Sequence, residues 1–377
     1  MWERNTIISS DFRIDRITKR QSGVMKALMK VAKGKGNLEI CDILRPKIKN
    51  EDDVLIEVTA AGVCGTDIHI WRDEFPYYPP VVMGHEFAGI VRKTGKSVTR
   101  FSTGDLVVGE PHTHFCGKCE MCRAGKIQLC AHKRSPGWGI DGAFTDYLVM
   151  PELFLHHVPE GVDSVTAALC EPLAIVTTGV LEHGKIGPQD TVAIVGAGPI
   201  GLLSAVAAKS GGAAKVVVLG TDADEAVRFP AARKLGADQV INVQRENAKK
   251  LVDSLTSGRG VDVVVEASGA AEGINTAADI VKQCGKITVV GMPGEEKLSI
   301  KWLEMIHKVL DVNFNFSSSV SSWERALSIM KTTPYDLSAV ITHKVNISNW
   351  EQAFDDIAIG NAIKVMFIPR QDTYDIG

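Results

Sequence analysis

The chain has 377 residues, with 42 Lys+Arg against 45 Asp+Glu and hence a net charge of −3. At roughly 100–200 residues per domain this suggests two or three domains, and the near-balance of charge argues against a broad basic face for nucleic acid or an anionic membrane. A hydrophobic fraction of 45% with 23% charged residues excludes wholesale disorder.

Residues 1–24 have no apolar stretch of the signal-peptide kind, and Asp11 and Asp15 stand among their arginines. They read as an extension ahead of the first domain, not as a secretory signal. Residues 25–115 alternate short apolar runs (MKALMKV, NLEICDI, DDVLIEVTAAGV, EFAGIVRKTG, GDLVVGE) with Gly and Pro breaks. That pattern predicts a mostly β domain of short strands. Residues 116–142, rich in Cys, Gly, Lys and Arg, read as an irregular loop. From about residue 172 the buried-type runs TVAIVG, KVVVLG, VDVVVEA and KITVVG alternate with helical stretches at 200–210, 224–235 and 273–283. Continuous β-branched runs between helices predict a parallel sheet covered on both faces. Residues 191–208 are 18 uncharged residues, long enough for a membrane span, but Gly196, Gly198, Gly201 and Pro199 break the run. Residues 314–377 lack the glycine-rich βα rhythm; a helix in SSWERALSIMK, a strand in AVITHKV, a helix at 349–359 and a strand in IKVMFIP are expected to pack back on the first domain.

Gly196-Ala197-Gly198-Pro199-Ile200-Gly201 follows a strand and opens a helix, the context a dinucleotide-binding turn requires. Its glycines permit the tight turn and close approach of a pyrophosphate to the helix N-terminus. The second strand ends at Gly220 and Thr221, where an acid for the adenosine ribose is expected. The missing carboxylate, a donor at Thr221 and the charge of Arg228 tilt the reading toward NADP; Asp222 and Asp224 favour NAD, and both cofactors stay open.

Four of the eight cysteines, Cys116, Cys119, Cys122 and Cys130, fall within 15 residues. Four thiolates at such spacing suit a closed tetrahedral zinc that folds its loop. A second set is dispersed: Cys64 with Thr66, Asp67 and His69; His85 with Glu86; and Glu171 after Cys170. Together these supply thiolate, imidazole and carboxylate, a donor set for a catalytic zinc with a position left open.

GVCGTDIHIW, GHEFAG, CGKCEMCRAGKIQLC, CEPLA and VGAGPIG, in this order, resemble the zinc-dependent medium-chain alcohol dehydrogenases, in their sorbitol (L-iditol) and threonine dehydrogenase branch. The likeness covers about residues 25–370. It implies an α/β architecture: a GroES-like, mostly β catalytic domain over 25–172 with the structural zinc loop 116–130, a Rossmann domain with a doubly wound parallel sheet over 173–313, and a return to the catalytic domain over 314–377. It implies two zinc ions per chain. Glu171 stands where simple alcohol dehydrogenases have a second cysteine, and Glu86 is a further candidate ligand. By the same resemblance, Thr66 hydrogen-bonds the substrate oxygen, His69 ends a proton relay through the cofactor ribose, and Asp67 orients His85. Ile175 and Ile200 pack the nicotinamide, and Lys364 contacts the pyrophosphate. Glu110, His112 and Trp138 line the substrate pocket. The expected substrate is a polyol oxidised at a secondary carbon, with L-threonine and sugar acids as alternatives and a non-catalytic cofactor-binding relative as the reading from another class. The expected setting is a cytoplasmic homotetramer, or homodimer, with no nucleic acid or membrane partner.

Overall fold

The computed structural model describes residues 23–369, so the extension expected over 1–24 lies almost wholly outside the described residues. The first strand starts at Val24 and runs to Lys30, between Leu38–Leu44 and Val81–Val82 in a three-stranded antiparallel sheet. Beside it lies a larger sheet built on Asp53–Gly62, which pairs with Glu86–Thr94 and Tyr147–Pro151 and carries Leu106–Gly109 and Leu155–His157 farther out. Nine of the ten residues of Asp53–Gly62 are buried, so this strand is the spine of the domain. The chain's last strand, Lys364–Phe367, returns to it: Phe367 pairs with Ala61 and Met366 with Gly62, antiparallel.

Between these pieces the β-branched runs form a six-stranded sheet, and all its pairings are parallel. Its spatial order is Gln239–Asn242, Lys215–Gly220, Thr191–Val195, Val261–Glu266, Val281–Val289, Asp311–Phe314. The order reverses at Thr191–Val195, and an open α/β sheet of this kind binds ligands in the crevice at that point. The apolar run 191–208 thus divides into the strand Thr191–Val195 and the helix Pro199–Ser210. Among the described residues no helix is long and apolar enough to cross a membrane.

Helix Cys170–Thr177 joins the two sheets and runs on into a π-helical turn, Thr178–His183. Pro172 is its third residue, in the first turn, where a missing N–H costs no intrahelical bond. Helix Val320–Thr332 packs across it, burying Trp323 completely.

Two sequence expectations need correction. The helix expected over 273–283 stops at Ile280, and Val281–Val289 is a strand whose Cys284 takes φ +52° beside a break in register. The helix expected from 224 begins at Arg228, because Asp222–Asp224 forms a separate 3-10 turn.

Candidate active site and metal centres

Cys64 caps a short helix, Gly65–Trp71, at the end of the buried spine strand. His85 stands just ahead of the neighbouring strand, which opens at Glu86, and Glu86 pairs with Gly62. This pairing brings donor atoms of Cys64, His85 and Glu86 within 4.8 Å of one another. Gly62 makes room for the cluster, since a Cβ there would lie 2.2 Å from Glu86 Oε2.

Asp67 ties the two sides together. Its Oδ2 accepts from the Cys64 N–H (2.9 Å), and its Oδ1 lies 3.9 Å from His85 Nδ1. Burial pushes the Asp67 carboxyl up to about 6, against the pull of His85. Burial opposes charge on His85 too, but the Cys64 sulfur and the Asp67 carboxylate outweigh it and hold the imidazole well above its ordinary value. Glu171 enters from the linking helix; burial raises its carboxyl to about 7. Its Oε2, with Asp67 Oδ1 and His85 Nδ1, is buried without a hydrogen-bond partner. A buried, electronegative pocket with orphaned acceptors is costly alone and suits a cation. Thiolate, imidazole and carboxylate are the donors zinc takes, so the residues present fit that ion.

Lys364 corrects one expectation. It does not face a pyrophosphate: it is buried beneath the cluster, with Nζ donating to both Glu86 oxygens (2.8 and 2.7 Å) and to the Val63 carbonyl (3.0 Å). Thr66 Oγ1 sits 3.7 Å from the Cys64 sulfur. His69 lies three residues farther along the same short helix, half-buried, its Nδ1–H donating to Glu74 Oε2 (2.9 Å). Residues at i and i+3 share a helix face, so Thr66, His69 and Glu74 form a row from the cluster toward the surface. Nothing in the sequence marked Glu74 as a member of this row.

The four loop cysteines converge separately. Their sulfurs stand 3.4 Å (119–122), 3.7 Å (116–130), 3.9 Å (116–122) and 3.9 Å (119–130) apart. A tetrahedron of ~2.3 Å metal–sulfur bonds has edges of about 3.8 Å, so this set fits zinc closely. The amides of Cys116, Cys119 and Cys122 point at sulfurs of the same group. Replacing Cys119 with Ala is expected to lower the thermal midpoint and remove one zinc before it touches the chemistry, since a closed site contributes folding energy. Melting curves and metal content check this; an unchanged midpoint refutes a structural role.

At the switch point Gly196 has φ +104°, and a Cβ there would strike the backbone of Ala267 and Ser268. A Cβ on Gly201 would lie 1.9 Å from the Gly196 carbonyl oxygen. Gly198 instead faces open space and offers no side-chain cap to the helix that starts at Pro199. The first-turn N–H groups are therefore left for a phosphate. Ile200 and Ile175 are half-buried, and the Ile175 carbonyl accepts from Asn315 Nδ2 (3.2 Å).

The adenosine end also departs from expectation. An acid does stand beside Gly220, supplied by Asp224: a Cβ on Gly220 would lie 2.6 Å from Asp224 Oδ2. That carboxylate accepts from Thr221 N (2.7 Å) and Oγ1 (3.1 Å), and Arg228 donates to its other oxygen (2.9 Å). Arg228 is thus not a free cation for a 2′-phosphate. The exposed charges there include Asp222 and Arg245, paired at 2.7 Å, and Glu225, which with Asp222 accepts from Asn242 Nδ2 (2.8 and 2.7 Å).

Two of the three pocket residues are also placed differently. Glu110 is buried and accepts from His156 Nε2 (2.8 Å). His112 is fully buried, and its Nε2–H donates to the Ser318 carbonyl (3.1 Å). Burial, with the Lys133 charge nearby, pushes it down to about 3, so it is neutral. Both side chains are buried and do not stand exposed toward a pocket. Trp138 is half-buried, edge-on to Phe75 at 6.0 Å and tilted on Tyr78 at 6.4 Å.

A donor cluster that fits a metal and a glycine turn that fits a dinucleotide, in one chain, are the parts of a metal- and nucleotide-dependent oxidoreductase. The alcohol dehydrogenase GroES-like domain family matches residues 50–160, and the zinc-binding dehydrogenase family matches residues 199–332. A sorbitol dehydrogenase of Halalkalibacterium halodurans is 37% identical over 92% of this chain and 99% of its own. A D-arabitol-phosphate dehydrogenase of Enterococcus avium is 32% identical over 92% and 97%. The crystal structure of a zinc-binding dehydrogenase from Sinorhizobium meliloti 1021, bound to NADP, superposes with a TM-score of 0.83 at 31% identity, covering 93% of this chain and all of that one. The chain belongs to the zinc-binding medium-chain dehydrogenases, with their GroES-like and Rossmann domains, and is an NAD(P)-dependent alcohol dehydrogenase of that family.

Proposed function

We propose that the enzyme oxidises a secondary alcohol of a sugar alcohol. The observation that carries this reading is the buried Glu171 carboxylate with one oxygen unpartnered, at the position where simple alcohol dehydrogenases place a cysteine. An extra acceptor beside the reacting carbon favours substrates with neighbouring hydroxyls over a simple alcohol. The sorbitol dehydrogenase relative supports the same choice.

Cys64, His85 and Glu86 would hold the catalytic zinc, and Cys116, Cys119, Cys122 and Cys130 the structural one. When bound, the catalytic ion supplies Lewis acidity to the alcohol oxygen and the nicotinamide supplies the hydride acceptor. The chain's own residues do the rest. Lys364 holds the Glu86 carboxylate in place, and Asp67 fixes the ring of His85. Thr66 Oγ1 takes the substrate hydroxyl's proton as it gives up its own, and His69, beside Glu74, carries the released proton outward. Glu171 orients a hydroxyl through its free oxygen. Ile175 and Ile200 exclude water from the hydride path, and Trp138 closes the outer wall.

NADP is the preferred cofactor in this reading. Asp224 is engaged by Thr221 and Arg228, so it is not free to take the ribose hydroxyls, and Arg245 stands exposed at that end in its pair with Asp222. A second copy of the chain covers the free edge of the six-stranded sheet, where Phe314 is 75% exposed and Trp302, Leu303 and Ile306 stand out beside it. The assembly is a homotetramer, or the homodimer from which it builds. Two thiolate metal sites and free cysteines suit the reducing cytoplasm. The test is a panel of sugar alcohols, L-threonine and sugar acids, each with NAD and with NADP. Turnover confined to L-threonine overturns the polyol reading, and a higher kcat/KM with NAD overturns the cofactor assignment.

A further inference from the structure

Lys133 is a cation near the site that none of the steps above uses. It closes the turn after the cysteine loop, its N–H donating to the Cys130 carbonyl (3.0 Å). Its side chain crosses toward the segment that leaves the six-stranded sheet: Nζ stands 3.4 Å from Ser317 Oγ and 5.6 Å from the centre of the Phe316 ring. Among the described residues no carboxylate lies within 4.0 Å of it.

Other lysines drawn into the protein are well supplied with acceptors. Lys30 donates to the carbonyls of Gly34 and Gly36, Lys308 to three carbonyls, and Lys364 to Glu86. Lys133 is half-buried, and its ammonium, which carries three donors, makes one long hydrogen bond, to the Ser317 hydroxyl, besides its contact with the Phe316 ring. Burial holds it down to about 8, with Glu171 and Cys130 acting in the opposite sense. Lys133 and Glu171 each favour the other's charged form. Its neighbour His112 is neutral and fully buried; with Nε2–H committed to Ser318, its Nδ1 is an acceptor without a partner. Asn315, two residues before Ser317, bonds the Ile175 carbonyl, so the same segment touches the expected nicotinamide wall.

We propose that Lys133 is a specificity-determining residue that binds an anionic group of the substrate, a phosphate monoester or a carboxylate, carried on the polyol chain away from the carbon being oxidised. The inference rests on the polyol reading. A neutral polyol filling the cleft strips water from the ammonium and gives back hydroxyls alone. An anion makes charge-assisted hydrogen bonds that roughly double the strength of neutral ones.

The test compares three matched substrates, a sugar alcohol, its terminal phosphate monoester and the corresponding aldonate, on the zinc-loaded wild type, Lys133→Met and Lys133→Arg. The expected result is a kcat/KM for one anionic form at least ~10-fold above the neutral polyol, each 10-fold corresponding to 1.4 kcal/mol. The anion that gains tells phosphate from carboxylate. Lys133→Met should erase the preference through KM, and Lys133→Arg should keep most of it. A neutral polyol that matches both anions on the wild type overturns the inference, whether or not Lys133→Met folds, and so does a preference that survives Lys133→Met. Turnover of none of the three overturns the polyol reading itself; turnover of the neutral form without anion preference overturns only the role of Lys133.

Discussion

Cys64→Ser is expected to abolish nearly all turnover while leaving both sheets folded. A hydroxyl is a poor substitute for thiolate on zinc, and Cys64 is the only sulfur in its cluster. The fold has little stake in the side chain: it is half-exposed, and the cap of helix Gly65–Trp71 uses the backbone N–H of Cys64, which serine keeps. Loss of an outer partner of a metal ligand costs roughly 10–100-fold, so loss of the ligand should exceed that in kcat. Circular dichroism and steady-state kinetics on the same preparation check it. Wild-type kcat in the variant removes Cys64 from the mechanism.

Lys364→Met is expected to give the largest loss of stability of any single change near the site. Lys364 and Glu86 are 2% and 1% exposed, and both carboxylate oxygens depend on the one ammonium. Removing one member of a buried pair leaves an uncompensated charge, at a cost of about 3–5 kcal/mol. With the catalytic position free of metal, the double variant Lys364→Met/Glu86→Gln should recover most of that loss, because the orphaned charge, not the absence of the pair, is what costs. Denaturant midpoints of the four proteins check the cycle. A small, additive effect of the two substitutions contradicts the coupling.

The legible part of the molecule was the part written in contiguous residues. Gly196 to Gly201 lie in one turn whose steric demands act over a few residues, and Cys116 to Cys130 close one loop, so spacing alone indicated both arrangements. Cys64 and the pair His85–Glu86 come from separate segments that only strand pairing brings within 4.8 Å, and Glu171 stands on a third, the linking helix. Their grouping rested on the resemblance, because no local rule relates residues so far apart. Lys364 was misplaced for a related reason. A lysine in AIKVMFI reads as a strand residue facing outward, yet every residue of Lys364–Phe367 is buried. A charge inside a fully apolar strand was the available signal for a buried partner, and Glu86 is that partner. At the adenosine end, the acid sought at position 220 arrives from Asp224 by a 3-10 turn, a reversal that periodicity does not reveal. The neutral state of His112 and the sparse hydrogen bonding of Lys133 depend on neighbours from distant segments, and no spacing in the chain encodes them.

Zinc content per chain, measured on the wild type and on Cys64→Ser, tests the central assignment most directly. The dispersed cluster and the four-cysteine loop together require about two ions in the wild type, and the variant should keep only the one in the loop. A wild type with one zinc, or a variant that still holds two, contradicts a catalytic metal at Cys64, His85 and Glu86.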